Sequence, residues 1–176
     1  MRIIAGRLKG RVLLAPPEGD LRVRPTADRA REALFSILQR WPQGPFLDLC
    51  AGTGAVGLEA WSRGYGPVTC VEAGEPGWSC LLRNLRDTEV RALKQDALKL
   101  PQDAFPSQAV VFLDPPYAQA AETWRRLAPR IREWVREDGV VVVETDRSTD
   151  LELQLGFELA ETRPYGAARF HFLLPV

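Results

Sequence analysis

The segment 46–57 constrains the fold of this chain more than any other. It opens with the mostly apolar run Phe46-Leu47-Asp48-Leu49-Cys50, which predicts a buried strand, and continues into a turn that contains Gly52, Gly54 and Gly57. A buried strand, a glycine-rich turn and a helix start make up the first crossover of a nucleotide-binding α/β sheet. The segment therefore predicts helices packed on a doubly wound sheet, with a ligand site at the carboxyl ends of the strands.

The rest of the chain continues this alternation. Apolar runs predict strands at residues 46–50, 67–72, 90–95, 109–114 and 139–144. Helices are predicted at residues 26–40, with Thr26 as the N-cap, and at 56–63, 75–86 and 120–136. Two hairpins complete the pattern, an N-terminal one at 2–5 and 11–15 and a closing one at 157–160 and 170–174.

Acidic residues end three successive strands and point to the ligand. The glycine pattern alone is shared with dinucleotide-binding enzymes, and so is Glu72, which can accept the two hydroxyls of a ribose. Asp48 favours a cationic ligand such as S-adenosylmethionine, because its carboxylate would repel a pyrophosphate. Asp96-Ala97 lies where an adenine amine and ring nitrogen could be bound, although Asp96 taken singly is equally consistent with a solvated loop carboxylate. Together the three acids predict one cofactor site that includes Gly52 and Gly54.

A second motif, Asp114-Pro115-Pro116-Tyr117, follows the apolar run 110–113. Each proline fixes φ and removes a backbone donor, so the carbonyls of Asp114 and Pro115 can act as acceptors beside the flat face of Tyr117. These groups suit a planar ligand that carries an NH2 group, and two acceptors would aim the nitrogen lone pair at an electrophile. The alternative is an ordinary exit from a strand into a loop.

Composition excludes several classes of site. The three cysteines, Cys50, Cys70 and Cys80, lack the spacing of a metal site or a disulfide framework. The single histidine, His171, lies in an apolar stretch, which favours a structural role over a Ser/His/Asp triad. No apolar run reaches membrane-spanning length and the first residues lack a secretory apolar region, so a cytoplasmic location is expected. At 176 residues the chain predicts a single domain, with residues 1–24 as a basic extension and 25–176 as the catalytic core.

Charge is balanced overall but unevenly distributed. Lys and Arg number 23 and Asp and Glu number 23, yet residues 1–40 contain nine basic and four acidic residues. A basic segment beside an acidic cofactor region would attract a phosphate backbone, and a solvated basic face is the alternative. By position, the candidate contacts to RNA are Arg7, Arg11, Arg24 and Arg29.

These motifs, taken in order, resemble those of class I S-adenosylmethionine-dependent amino-methyltransferases. The resemblance implies a Rossmann-like, mostly parallel sheet of seven strands with one antiparallel strand, helices on both faces and a small β-hairpin arm before it. The N-terminal strings are similar to those of the RsmD type, namely Arg2-Ile3-Ile4-Ala5-Gly6 with Lys9-Gly10, Arg24-Pro25-Thr26, and Arg29-x-x-x-Ala33-Leu34-Phe35. RsmD-type enzymes methylate the exocyclic amine of one guanine in 16S ribosomal RNA, so this RNA or the small ribosomal subunit is the expected partner.

The resemblance also implies a role for each motif. Asp114 and the following carbonyl would hold the base amine, Tyr117 would stack on the flipped base, and Arg24-Pro25-Thr26 would close over the cofactor. Three other functions remain open: an adenine-amine methyltransferase that acts on DNA or RNA, an NAD-dependent oxidoreductase that uses the same glycine turn, and an RNA-binding module without catalysis. No metal is expected in any of them.

Overall fold

A computed structural model describes residues 1–16 and 28–176. Its strands are β1 (Phe46–Leu49), β2 (Val68–Glu72), β3 (Arg91–Lys94), β4 (Gln108–Leu113), β5 (Val135–Asp146), β6 (Phe157–Tyr165) and β7 (Ala168–Pro175). Its α-helices are α1 (Asp28–Leu38), α2 (Ala55–Ser62), α3 (Glu75–Asn84) and α4 (Ala120–Trp134). Two short 3-10 helices, Ala97–Lys99 and Tyr117–Gln119, follow β3 and β4.

The strands form one mixed sheet in the order β3-β2-β1-β4-β5-β7-β6. Strands β1 to β5 pair in parallel, and β7 runs antiparallel to both of its neighbours. This arrangement confirms the predicted Rossmann-like sheet and its closing hairpin. In the paired register Leu49 lies opposite Val71 on one side and Leu113 on the other. The carboxyl ends of β1, β2 and β4 therefore meet at one edge of the sheet.

Alternating side chains of the central strands supply two separate cores. Phe112 and Val142 pack on one face with residues of α1, α2 and α3, whereas Leu113 and Val143 pack on the other face with α4. Strands covered on both faces are apolar at nearly every position, which explains the uninterrupted run 140–143. The part of the chain that the structure describes contains no helix both long and apolar enough to cross a bilayer.

Two neighbouring elements have other bounds than predicted, since the helix predicted at 120–136 ends at Trp134 and the strand after it starts early. Strand β5 begins at Val135, directly after α4, rather than at residue 139, because Val135 already pairs with Gln108 of β4, ahead of an irregularity in the register that contains the charged residues 136–138. The predicted N-terminal hairpin is present but short: Arg2 and Val12 form an antiparallel bridge, and backbone hydrogen bonds join Ile3 N–H to the Arg11 carbonyl (2.9 Å), Gly10 N–H to the Ile3 carbonyl (2.9 Å) and Leu13 N–H to the Met1 carbonyl (3.1 Å). The helix predicted from residue 26 is described from Asp28, so the Thr26 cap lies outside the described residues.

The N-terminal arm, residues 1–16, is also held against α2. The carboxylate of Glu59 on α2 accepts hydrogen bonds from the backbone N–H groups of Ile4 (2.8 Å) and Ala5 (3.0 Å) and from Arg63 (2.7 Å). Gly6 has φ +79°, and a Cβ at this position would overlap the Ser62 carbonyl. Contacts with α2 therefore satisfy backbone N–H groups of the arm that do not donate across the hairpin.

Candidate active site

A cleft of about 620 Å³ opens at the carboxyl ends of β1, β2 and β4. It brings together residues from the glycine turn, from the ends of β2 and β3, and from the segment after β4. The sequence-predicted residues that line it are Asp48, Gly52, Glu72, Asp96, Ala97, Asp114, Pro115 and Pro116. Two of the motifs singled out in the sequence, far apart in the chain, thus share one cavity.

The glycine turn reaches α2 through left-handed backbone conformations. Gly52 and Gly54 have φ +55° and +79°, and a Cβ on Gly54 would overlap the Leu81 side chain of α3. Cys50 also has positive φ, at +61°, which is uncommon for a residue with a side chain. Burial, reinforced by the carboxylates of Glu72 and Asp114, raises the pKa of the Cys50 thiol, so this cleft residue stays protonated. Gly54 itself is buried against α3 and acts by shaping the turn.

Asp48 is hydrogen-bonded to the first turn of α2. Its side chain is 1% exposed, and Oδ2 accepts a hydrogen bond from the Gly57 N–H at 2.8 Å. Burial, opposed by the Gly57 hydrogen bond and reinforced by the nearby Glu72 carboxylate, raises the pKa of Asp48 to about 7. Asp48 is therefore a buried, titratable carboxyl group that lines the cleft.

Glu72 is fixed at the mouth of the glycine turn. One carboxylate oxygen accepts the Gly52 N–H at 2.7 Å and the other accepts the Gly74 N–H at 2.5 Å. Each oxygen keeps a second lone pair, so the carboxylate can still accept hydroxyl groups of a ligand. Because Glu72 and Asp48 already occupy N–H donors of this region, a pyrophosphate would meet two carboxyl groups where a dinucleotide fold offers it backbone donors.

Asp96 has a local structural partner as well as a place in the cleft. Its Oδ1 accepts the Leu98 N–H at 2.9 Å and so caps the short helix Ala97–Lys99. Ala97, which follows, is buried and lines the cleft. This hydrogen bond fixes the conformation of residues 96–98 where they line the cleft.

Only the first part of the segment after β4 lines the cleft. Asp114, Pro115 and Pro116 line the cavity, whereas Tyr117 is not among the described residues that do so. The hydroxyl of Tyr117 donates a hydrogen bond to Oε1 of Glu144, at 3.3 Å. Glu144 was not identified from the sequence, although its position after the apolar run 140–143 repeats the pattern of a strand that ends in an acid.

The arginines proposed as RNA contacts have different surroundings. Arg7 is exposed and lies over the Trp61 ring, with its Cζ 4.4 Å from the ring centroid. Arg11 donates from one nitrogen to the carbonyls of Asn84 (3.0 Å) and Arg86 (2.9 Å), at the end of α3. The Arg11 guanidinium thus has a structural partner that the sequence did not reveal. Arg29 is exposed on α1, and Arg24 and Thr26 lie outside the described residues.

Comparison with known proteins identifies the family. A sequence model of the family described as Conserved hypothetical protein 95 matches residues 1–174. Ribosomal RNA small subunit methyltransferase D of Haemophilus influenzae is 33% identical over 180 residues, which cover 97% of this chain and 91% of that protein. The chain belongs to the RsmD-type methyltransferase family.

Solved structures agree with the RsmD-type assignment. A hypothetical protein of Thermus thermophilus has a TM-score of 0.80 and 31% identity, and the match covers 100% of this chain and 99% of that one. A precorrin-6y C5,15-methyltransferase of Geobacter metallireducens has a TM-score of 0.71, with 99% and 98% coverage, at 13% identity. The second likeness concerns the fold alone. Residues 1–16 and 28–176 contain no group of three or more acidic, histidine or cysteine side chains able to hold a metal ion.

Proposed function

We propose that this chain uses S-adenosylmethionine to methylate the exocyclic amine of one guanine in 16S ribosomal RNA. The observation that carries the proposal is the shared cleft, in which Asp114-Pro115-Pro116 faces the same cavity as Asp48, Glu72 and Asp96. An acceptor motif for an amine and an acidic cofactor site are the two halves of an amino-methyltransferase. The name of the Haemophilus influenzae relative, which specifies the small ribosomal subunit RNA, supports the choice of substrate.

The residues of the cleft fit S-adenosylmethionine better than a dinucleotide. Glu72 would accept the ribose hydroxyls, and Asp96 with Ala97 would hold the adenine. Asp48 and the turn at Gly52 would lie toward the cationic methionine part, where a carboxyl group is favourable. The carboxyl groups that occupy the donors of the turn argue against NAD. Thr26, predicted to cover the cofactor, belongs to the same proposal.

In the proposed reaction, the protein positions a weak nucleophile. The bound cofactor supplies an electrophilic methyl group on a sulfonium. The Asp114 side chain and the Pro115 carbonyl accept the hydrogens of the base amine, which concentrates its lone pair and aligns it for direct in-line transfer. Transfer would pass the positive charge from the sulfonium to the base amine until its proton leaves, so no covalent intermediate on the protein is required. The amine proton leaves to water or to Asp114.

The base must leave its stack before it reaches these acceptors. Unstacking costs a few kcal/mol, and less in an RNA loop or a partly open helix end. Tyr117 would recover part of this cost by stacking on the flipped base, since such contacts contribute about 1 to 3 kcal/mol per base. Arg7, Arg11, Arg24 and Arg29 are the proposed contacts to the RNA backbone, and Arg7 and Arg29 are the exposed ones among those that the structure describes.

One assay tests the reaction and its substrate together. Radiolabelled S-adenosylmethionine is incubated with the protein and either small ribosomal subunits, free 16S RNA or duplex DNA, and the nucleosides of the product are separated. We expect guanosine methylated on its exocyclic amine with the ribosomal substrates only. Methyladenine, or no transfer to any of the three, would overturn the proposal. A parallel reaction with Asp114→Ala controls for contaminating activity.

A further inference from the structure

Glu144 is a buried carboxylate beside the amine-binding motif. It lies near the end of β5, is 4% exposed, and accepts the Tyr117 hydroxyl at 3.3 Å. It follows four consecutive valines in a strand that is covered on both faces. Burial of a carboxylate costs free energy that burial of another valine would not, so an acid at this position requires an explanation.

The two partners differ in how firmly the backbone holds them. Glu144 pairs with Phe170 of β7, and the preceding Val143 pairs with Leu113 of β4, so its backbone is fixed between two strands. Tyr117 begins a three-residue 3-10 helix directly after two prolines, outside the sheet. The hydrogen bond therefore connects a ring on a short connecting segment to a fixed point in the sheet.

We infer that Glu144 is a positioning residue that sets the plane of the Tyr117 ring for the incoming base. The inference rests on the proposed function, in which that ring stacks on the flipped guanine. Glu144 contacts Tyr117 and acts through it. Because a stacked pair depends on ring orientation, loss of the acceptor weakens base capture while the cofactor site, formed by the ends of β1, β2 and β3, is unaffected.

The test is a double-mutant cycle on methyl transfer to the small subunit or to 16S RNA. The variants are Glu144→Ala, Tyr117→Phe, their combination, and Glu144→Gln, which keeps a carbonyl acceptor for the hydroxyl. We expect Glu144→Ala and Tyr117→Phe each to raise KM for RNA by about threefold to tenfold, the usual effect of one hydrogen bond. The combined variant should be no worse than either single variant, Glu144→Gln should recover most of the loss, and KM for S-adenosylmethionine should stay unchanged.

A purely structural role predicts a different set of results. Equal increases in KM for RNA and for the cofactor would overturn the inference. So would a combined variant whose increase in KM for RNA is the product of the increases in Glu144→Ala and Tyr117→Phe. Glu158→Ala on the exposed part of β6 is the matched control for removal of a carboxylate from the same sheet, and it should behave as wild type. If Glu144→Ala does not fold, an unaltered KM in Tyr117→Phe overturns the inference just as clearly. Inactivity of the wild-type protein would instead overturn the proposed function.

Discussion

Asp114 is the side chain whose loss should affect the proposed reaction most. Asp114→Ala removes one of the two acceptors that orient the base amine, and we expect kcat to fall by about 10² to 10³, the range seen when a group that stabilises a transition state is deleted. The cofactor affinity should change little, because Glu72 and Asp96 remain in place at the ends of other strands. Single-turnover transfer and calorimetric titration with S-adenosylmethionine measure the two quantities. Wild-type turnover in the variant would refute the acceptor role.

Asp48 should make stability depend on pH near neutrality. Its pKa is about 7 in the folded protein, against 3.8 as the ordinary value, so the unfolded chain loses this proton first. The contribution of Asp48 to the free energy of unfolding is therefore greatest below about pH 4 and declines as the pH rises to 7. At about 1.4 kcal/mol per pH unit the total loss is roughly 4 kcal/mol.

The variant Asp48→Asn isolates this contribution, because its amide cannot ionise and its oxygen can still accept the Gly57 N–H. The difference in unfolding free energy between wild type and variant should shift in favour of Asp48→Asn as the pH is raised from about 4 to about 8. Urea denaturation of both proteins across this range provides the measurement. A difference that is constant with pH would mean that Asp48 ionises normally in the folded protein.

Local sequence identified the acids that end strands, but not the partners that lie far away in the chain. Asp48, Glu72, Asp96 and Asp114 follow apolar runs, so their place at one sheet edge follows from the strand pattern. The roles of Glu59 and Arg11 depend on contacts across 54 to 75 residues, which no local pattern encodes. Glu144 could have been found, since it follows the clearest strand in the sequence, but its link to Tyr117 required the fold.

Helix α2 approaches the sheet so closely that Gly57 cannot carry a side chain without a rearrangement. A Cβ at this position would overlap the Cys70 Sγ on β2 and lie 3.2 Å from the Asp48 carboxylate. Gly57→Ala should therefore destabilise the protein by about 1 to 3 kcal/mol, a common cost of overpacking. Urea denaturation gives the change in unfolding free energy.

Removal of the opposing sulfur supplies the control for this prediction. Cys70→Ala deletes the overlapping atom, so Gly57→Ala should cost less in a Cys70→Ala background than in the wild-type protein. Strictly additive effects of the two substitutions would contradict the close-approach explanation.

The elements that the sequence predicted best are those whose burial is uniform. Strands β4 and β5 contain apolar runs because both of their faces are covered, and a run of that kind is visible without the structure. The start of β5 at Val135 escaped prediction because residues 136–138 are charged and follow a helix without a loop. The N-terminal hairpin forms as predicted but is short, and α2 binds further backbone groups of its first arm, which no local pattern indicated.

The whole molecule combines zero net charge with a basic front. Part of that basic charge has structural partners. Arg31 is fully buried and forms ion pairs with Asp28 and Glu59, and Arg11 binds backbone carbonyls at the end of α3. Arg7 and Lys9 are exposed at the turn of the N-terminal arm. The arm covers the face of the sheet on which α2 packs. RNA that contacts these exposed charges would therefore approach that face rather than the face covered by α4.

This asymmetry predicts which charges set the salt dependence of RNA binding. Each phosphate contact contributes close to one to the slope of log K against log salt concentration, so Arg7→Ala and Lys9→Ala should each reduce that slope by about one. Arg126→Ala is the control, because this exposed arginine lies on α4, on the opposite face of the sheet. Filter binding of 16S RNA between about 50 and 200 mM salt compares the variants. If Arg126→Ala reduced the slope and the arm variants did not, RNA would have to approach the α4 face, and the basic arm would be a solvated surface.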